Sequence, residues 1–234
     1  MDVDKRFKKV RTPPSLPNWV LLNHSRRYDT SRSIARFVLG SPKFNLFPIL
    51  AFIIDFVTLQ VPKADVMSAV RSLKNSKVRT LGEEVLEAVL PWLEAENIRG
   101  LRVFQNFKVM YPIGRGVFVP VVPTFTFNDA GKLTFVFVIP WAEVRFNRYQ
   151  KRLLLTLIHE AILTQEDFLD ADALVLFTPR HKLDKKTRFV KRLRMGDVQF
   201  LTREQLVEQF DRFGNALDDA VPIVLQELAR RGEI

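Results

Sequence analysis

Basic side chains are concentrated in residues 180–194, where eight of fifteen residues are lysine or arginine and Asp184 is the single acid. Lysine and arginine neutralise phosphates and release counterions, which gives affinity for nucleic acid without reading its sequence. Further basic residues lie near the start of a predicted helix over residues 148–163 and in the N-terminal region. We predict a nucleic-acid-binding surface formed by Arg26, Arg27, Arg145, Arg148, Lys151, Arg152, Lys182, Lys185, Lys186, Arg188, Lys191, Arg192 and Arg194.

Carboxylates are the second group of side chains that could do chemistry, because they hold Mg²⁺ in phosphoryl-transfer sites. Glu84 and Glu87 belong to a predicted helix, and Asp167, Asp170 and Asp172 precede a short buried strand. Solvation of a turn and a strand edge is the simpler role for the three aspartates. Asp129 is interpreted as a turn residue.

Histidine and cysteine chemistry is sparse in this sequence. There are three histidines and no cysteine, which excludes disulfides and cysteine-ligated zinc. His159 and Glu160 are adjacent, but no second histidine follows at the spacing of a metalloprotease helix. We expect no metal site and no small-molecule cofactor, with Mg²⁺ relevant only to a nuclease.

The overall balance of charge favours a polyanionic partner. The 234 residues carry a net charge of +10 with a pI near 10.0, and 47% of them are hydrophobic, which is ample for a core. The longest apolar stretch, residues 44–61, is interrupted by Pro48 and Asp55 and predicts a buried helix, not a membrane span. With no cysteine and no signal-like N-terminus, we expect a cytoplasmic protein without membrane contact.

The elements that must position these side chains are organised around residues 119–141. Two apolar, β-branched and aromatic runs flank an Asn-Asp-Ala-Gly turn over residues 128–131, which predicts a hairpin. Its second run is apolar on both faces, as in a central strand covered on both sides. A helix starting at an N-cap Thr80 precedes the hairpin, and a strand over residues 173–177 follows the helix over 148–163. This order predicts a mixed α/β sheet with helices on its faces.

Three segments are predicted along the chain. Residues 1–79 comprise an extended basic arm over 1–32, where prolines suppress helix, and helices over 31–39, 47–59 and 65–74. Residues 80–195 form the α/β core, which includes a strand over 101–110. Residues 196–234 form a small helical appendage with a strand over 198–201 and helices over 202–210 and 218–231. The end of the chain resembles the helix-to-wing passage of a winged-helix domain, in partial form.

The order around the hairpin resembles the core of the PD-(D/E)XK nuclease superfamily, closest to the TnsA-type endonuclease subunit of heteromeric transposases. The run Leu-Gly-Glu-Glu-Val-Leu-Glu over residues 81–87 resembles that family's first helix. Pro-Thr at 123–124 occupies the place of the Pro-Asp motif. Phe-Val-Ile-Pro-Trp at 137–141 occupies the place of the (Glu/Gln)-x-Lys-Pro-aromatic motif. The resemblance implies a restriction-endonuclease-like sheet and a role in transposition by a mobile genetic element.

The departures from the family motifs bear on catalysis. Either Glu84 or Glu87 matches the helical glutamate, but Thr124 replaces the metal-binding Asp, Phe137 the second acid and Ile139 the lysine. Thr, Phe and Ile cannot hold Mg²⁺ or polarise a phosphate. The resemblance thus implies a pseudonuclease, a DNA-binding subunit of a protein complex.

Two alternatives remain open. One is a divergent metal-dependent endonuclease drawing ligands from Glu84, Glu87, Asp129 or residues 167–172. The other is a non-enzymatic protein-interaction or virion component whose basicity offsets an acidic partner.

Overall fold

The computed structural model describes residues 3–40, 46–104 and 106–233, which contain eight α-helices and six β-strands. The helices are α1 (Val3–Arg11), α2 (Leu16–Leu22), α3 (Arg27–Leu39), α4 (Phe47–Thr58), α5 (Lys63–Arg71), α6 (Ser76–Ala95), α7 (Arg148–Ile158) and α8 (Arg203–Arg230). The strands are β1 (Val109–Pro112), β2 (Phe118–Val121), β3 (Phe125–Asp129), β4 (Lys132–Ile139), β5 (Asp172–Phe177) and β6 (Lys191–Arg194).

The main sheet has four strands in the spatial order β3-β4-β5-β6. The β3–β4 and β5–β6 pairs are antiparallel, whereas β4 and β5 are parallel and are joined through α7. Strands β1 and β2 form a separate antiparallel pair. The prediction of a mixed α/β architecture is confirmed at this level.

The predicted hairpin is formed by β3 and β4, with Asp129 paired to Lys132. Ala130 and Gly131 lie between them with φ values of 50° and 93°, the positive values that a tight two-residue hairpin turn requires. The Asn128 side-chain oxygen accepts a hydrogen bond from the Gly131 N–H at 2.6 Å. Local turn chemistry therefore sets the register of the hairpin.

Strand β4 is central and covered on both faces, as predicted. Phe135, Phe137 and Ile139 belong to a hydrophobic cluster that includes residues of α1, α2, α3, α7 and α8. Val136 and Val138 belong to a second cluster, formed with residues of α4, α5 and α6. Because successive side chains of a strand point to opposite faces, one apolar run supplies both clusters.

The prediction of an extended arm over residues 1–32 is wrong, because residues 3–32, the described part of this range, contain α1, α2 and the start of α3. Phe7, Val10 and Trp19 are buried in the first hydrophobic cluster. Ser15 caps α2 and Pro17 lies in its first turn, where a missing N–H costs nothing. At this position Pro17 is compatible with a helix, so the prolines of this region do not exclude helices.

Polar side chains fix α2 against α7 and α8 in the same cluster. Gln150 donates hydrogen bonds to the backbone oxygens of Leu21 (3.0 Å) and Asn23 (2.9 Å). Gln209 donates to the Asn23 side chain at 2.6 Å and accepts from the Tyr149 hydroxyl at 2.6 Å. Buried polar groups satisfied in this way specify one arrangement of the three helices.

Helix α4 is the buried core helix that the sequence predicts from its apolar stretch, of which residues 44 and 45 lie outside the described part. Ile49, Ile53 and Val57 are fully buried in the second cluster. Over the described ranges, no helix combines the length and apolar character needed to cross a bilayer.

Several predicted boundaries are wrong. Helix α6 begins at Ser76 with Asn75 as its N-cap, so Thr80 lies inside it. The strand predicted over 101–110, of which Gln105 lies outside the described residues, is reduced to β1 after a 3₁₀ turn at Arg102–Phe104. The helix predicted over 148–163 is α7 followed by a π-helical turn at His159–Leu163.

The predicted C-terminal appendage is one 28-residue helix, α8, without a strand over 198–201. Its buried residues Phe213, Val224 and Leu228 belong to the same cluster as the sheet and the N-terminal helices. The three predicted segments thus share cores and do not fold around separate ones.

Replacing Trp19 with alanine tests whether the N-terminal helices are part of the core. Trp19 is fully buried and its ring lies 5.3 Å from that of Phe213 on α8. We expect Trp19→Ala to lower the free energy of unfolding by about 3–5 kcal/mol, as for other large buried aromatics. Tyr28→Ala, at an exposed aromatic of the same region, is the control. Equal small effects in urea denaturation would contradict this packing.

Candidate nucleic-acid interface

Helix α6 carries Glu84 close to the main sheet. Gly82 lets α6 approach α4 and α5, because a Cβ there would lie 2.4 Å from Ile49 Cδ1 and 2.6 Å from Val70 Cγ2. Two residues further along α6, the side chain of Glu84 is 13% exposed, whereas Glu87 is exposed. Of the two glutamates that the sequence leaves open, Glu84 is therefore the one that packs inward.

The Glu84 carboxylate is bound by two arginines. Arg180 donates from Nε to Oε2 at 2.9 Å and from Nη2 to Oε1 at 2.7 Å. Arg188 donates from Nε to Oε2 at 2.9 Å. These three residues form the ion-pair cluster, in which both guanidinium groups approach the same carboxylate.

Arg188 connects this cluster to the main sheet. Its Nη1 donates to the backbone oxygens of Pro140 (3.3 Å) and Thr178 (3.0 Å), which directly follow β4 and β5. The Arg188 side chain is only 1% exposed. Burial lowers the pKa of its guanidinium, and Glu84 partly offsets this effect. Since an arginine stays charged in proteins, burying it requires the carboxylate.

The residues between the two arginines form an exposed loop. Arg180 and Arg188 pair as an antiparallel bridge, and the His181 N–H donates to the Thr187 oxygen at 3.0 Å. All seven residues 181–187, here named the basic loop, are exposed, including Lys182, Lys185 and Lys186. The ion-pair cluster thus fixes the base of a loop that presents three ammonium groups to solvent.

Asp184 is the one acid of the basic loop, and it serves the loop's own backbone. Its side chain accepts a hydrogen bond from the Lys186 N–H at 2.9 Å. This bond, with smaller contributions from Thr187, lowers the pKa of Asp184. The carboxylate therefore remains ionised at neutral pH, and the three lysines outweigh it.

Strand β6 extends the basic surface along the edge of the main sheet. Lys191, Arg192 and Arg194 are exposed, and Arg192 lies 3.5 Å from Glu96, the residue that follows α6. Charged side chains on an edge strand also prevent pairing with another sheet. The exposed edge of the main sheet is therefore lined by basic side chains, one of which is paired with an acid.

Of the other predicted phosphate-binding residues, some are exposed to solvent and others bind side chains or backbone of the protein itself. Arg26, Arg145 and Arg148 are exposed. Arg27 pairs with Asp219, with Nε donating at 2.6 Å, and Arg152 donates to the Gln199 oxygen at 2.7 Å.

Two further basic residues also depart from the predicted surface. Lys151 is half-buried on α7. Arg188 belongs to the buried cluster, so assigning it to the nucleic-acid surface is wrong.

The residues at the family's motif positions are not brought together. The Thr124 hydroxyl accepts from the Val138 N–H at 2.9 Å, so it completes the β3–β4 ladder. Phe137 and Ile139 are buried on the face that packs against α7 and α8, opposite to α6 and Glu84.

The remaining acidic candidates lie apart from Glu84. Asp129 ends β3 at the hairpin turn, and Asp172 begins β5 with its Oδ1 accepting from the Ala173 N–H at 2.8 Å. Asp167 and Asp170 are exposed in the turn before β5. Among the residues that the structure describes, no three His, Asp or Glu side chains are grouped to hold a metal ion.

Sequence reasoning missed the pairing of Arg180 and Arg188 with Glu84. The one signal in the sequence that could have indicated this pairing is the position of Arg180, which closely follows the buried run that forms β5. Nothing in residue type separates Arg188 from the seven other basic residues of the segment. No family model, curated protein or solved structure matches the chain.

Replacing Glu84 with glutamine tests the ion-pair cluster. Removing one partner of a buried pair leaves the other charge uncompensated, so we expect Glu84→Gln to lower the free energy of unfolding by about 3 kcal/mol. Glu87→Gln, at an exposed position on the same helix, makes the same chemical change and should cost little. Chemical denaturation at neutral pH measures both, and equal stabilities would contradict the cluster's role.

Proposed function

We propose that this protein is a DNA-binding subunit with a nuclease-like fold and without catalysis of its own. It acts within a larger DNA-processing complex, most plausibly of the transposase type. The observation that carries this proposal is the basic loop, which exposes three lysines and stands on the buried ion-pair cluster.

The arrangement of charge supports binding to the phosphate backbone. The lysines of the basic loop and the basic residues of β6 are exposed and are separated in the chain by only four residues, 187–190. With Arg145 and Arg148 at the start of α7, they give a surface suited to sequence-independent contact with DNA. The net charge of +10 adds long-range attraction of the same sign.

The ion-pair cluster supports the absence of catalysis. Glu84 is the one family-matching carboxylate that packs inward, and two guanidinium groups already bind its oxygens. A metal ion at the same oxygens would have to displace the buried Arg188 or lie beside its charge. Thr124, Phe137 and Ile139 add no metal ligand of the kind a nuclease needs.

Neutralising the lysines of the basic loop should weaken binding to duplex DNA and flatten its salt dependence. We expect Lys182→Gln, Lys185→Gln and Lys186→Gln together to reduce the slope of log K against log[salt] by up to about 2.7, or about 0.9 for each lost phosphate contact. Fluorescence anisotropy with a random-sequence duplex over a salt series measures this slope.

The matched control removes the same number of charges elsewhere. Lys74, Lys77 and Lys108 are exposed on other elements, and their glutamine variants should leave the slope unchanged. Equal effects of the two triple variants would refute the basic loop as the DNA surface. No binding of the wild type to DNA at low salt would favour an acidic protein partner.

The protein alone should not cleave DNA. With Mg²⁺ or Mn²⁺ present, we expect supercoiled plasmid and linear duplex to remain intact, because Glu84 is held by Arg180 and Arg188. Agarose gels of time courses measure nicking and cutting. Cleavage that is lost in a folded Glu84→Gln variant and kept in Glu87→Gln would establish the divergent nuclease in place of this proposal.

A further inference from the structure

Leu183 is a large apolar side chain in the basic loop, and it is fully exposed, at 102% of its reference area. Lys182 precedes it, and Lys185 and Lys186 follow after Asp184. Single exposed leucines are common on protein surfaces. Leu183 differs from them because it lies between lysines that, under the proposed function, contact DNA phosphates.

The base of the loop is held by backbone hydrogen bonds and a ring contact. The Phe189 N–H donates to the Pro179 oxygen at 3.2 Å, just beyond the Arg180–Arg188 bridge. The rings of His181 and Phe189 lie 4.7 Å apart at the same end of the loop. With Arg188 buried in the ion-pair cluster, the loop is attached at both ends to the main sheet.

We propose that Leu183 is a wedge that enters the minor groove of duplex DNA and partly unstacks one base step. This inference rests on the proposed DNA binding. Proteins that bend DNA insert Leu, Ile, Met, Phe or Pro between base pairs while basic side chains hold the backbone on either side. Leu183 and its flanking lysines supply both parts in one short loop. The minor groove, about 6 Å wide, admits such a loop tip and excludes a helix.

An anionic membrane would also attract lysines around an exposed leucine. Stable membrane attachment, however, requires a broad apolar face or more than one lipid anchor. One aliphatic side chain is sufficient to insert at a base step, but it is insufficient to attach a protein stably to a bilayer. The single leucine therefore favours the duplex as ligand.

A duplex that carries 2-aminopurine at central positions tests the wedge, because unstacking raises the fluorescence of this base. We expect wild-type protein to raise it and to bend a doubly labelled duplex measured by energy transfer. Leu183→Ala should lose both signals, with affinity falling by less than about tenfold because the lysine contacts with phosphates remain. Leu169→Ala, at another exposed leucine, is the matched control and should behave as wild type.

The outcomes separate the wedge from the proposed function. Wild-type binding without a fluorescence or bending signal, or with signals that Leu183→Ala retains, would overturn the wedge and leave DNA binding intact. Wild-type protein that does not bind the duplex at low salt would overturn both. Binding to phosphatidylserine vesicles that depends on Leu183, without unstacking of DNA, would replace the duplex by a lipid surface.

Discussion

The burial of one positive charge, that of Arg188, is the constraint on which this part of the structure depends. A guanidinium group that is removed from water needs a carboxylate and further acceptors, or it destabilises the fold. Glu84 supplies the carboxylate, and the backbone oxygens of Pro140 and Thr178 supply the acceptors. Helix α6, the ends of β4 and β5, and the base of the basic loop are thereby fixed relative to one another. The apolar layers on either side of the sheet stabilise the fold, while this cluster determines what the sheet's end presents to solvent.

The same interaction separates the two kinds of chemistry that the sequence suggests. A nuclease site needs free carboxylates, and here the inward carboxylate already neutralises arginine. The cluster is net positive, because two guanidinium groups share one carboxylate, and its second arginine, Arg180, remains 32% exposed. Glu84 is engaged by the arginines of the cluster, while the lysines of the basic loop remain exposed to solvent. The proposed role in holding phosphate rests on these exposed lysines.

The sequence predicts those secondary-structure elements that are specified by neighbouring residues, through turn residues or apolar periodicity. The β3–β4 hairpin follows from its turn residues, and β4, α7 and β5 follow from apolar periodicity. The sequence does not predict the N-terminal helices, because proline is compatible with the first turn of a helix but breaks its interior, and the sequence alone does not show which position Pro17 takes. Helix α8 was divided in two because the apolar face that unites it is stabilised by packing against α3. Arg188 was misassigned because tertiary contacts, not residue type, distinguish it from its basic neighbours.

The two faces of β4 carry apolar side chains at and beside the positions that were compared with the nuclease motif. Phe137 and Ile139 point away from α6, so the face of β4 beside Glu84 carries Val136 and Val138 instead. Shifting the match by one residue would exchange one pair for the other and would still place two apolar side chains there. Neither register restores an acid or a lysine next to Glu84. The lack of metal ligands on β4 therefore does not depend on how the family motif is aligned, and only residues outside this strand could supply them.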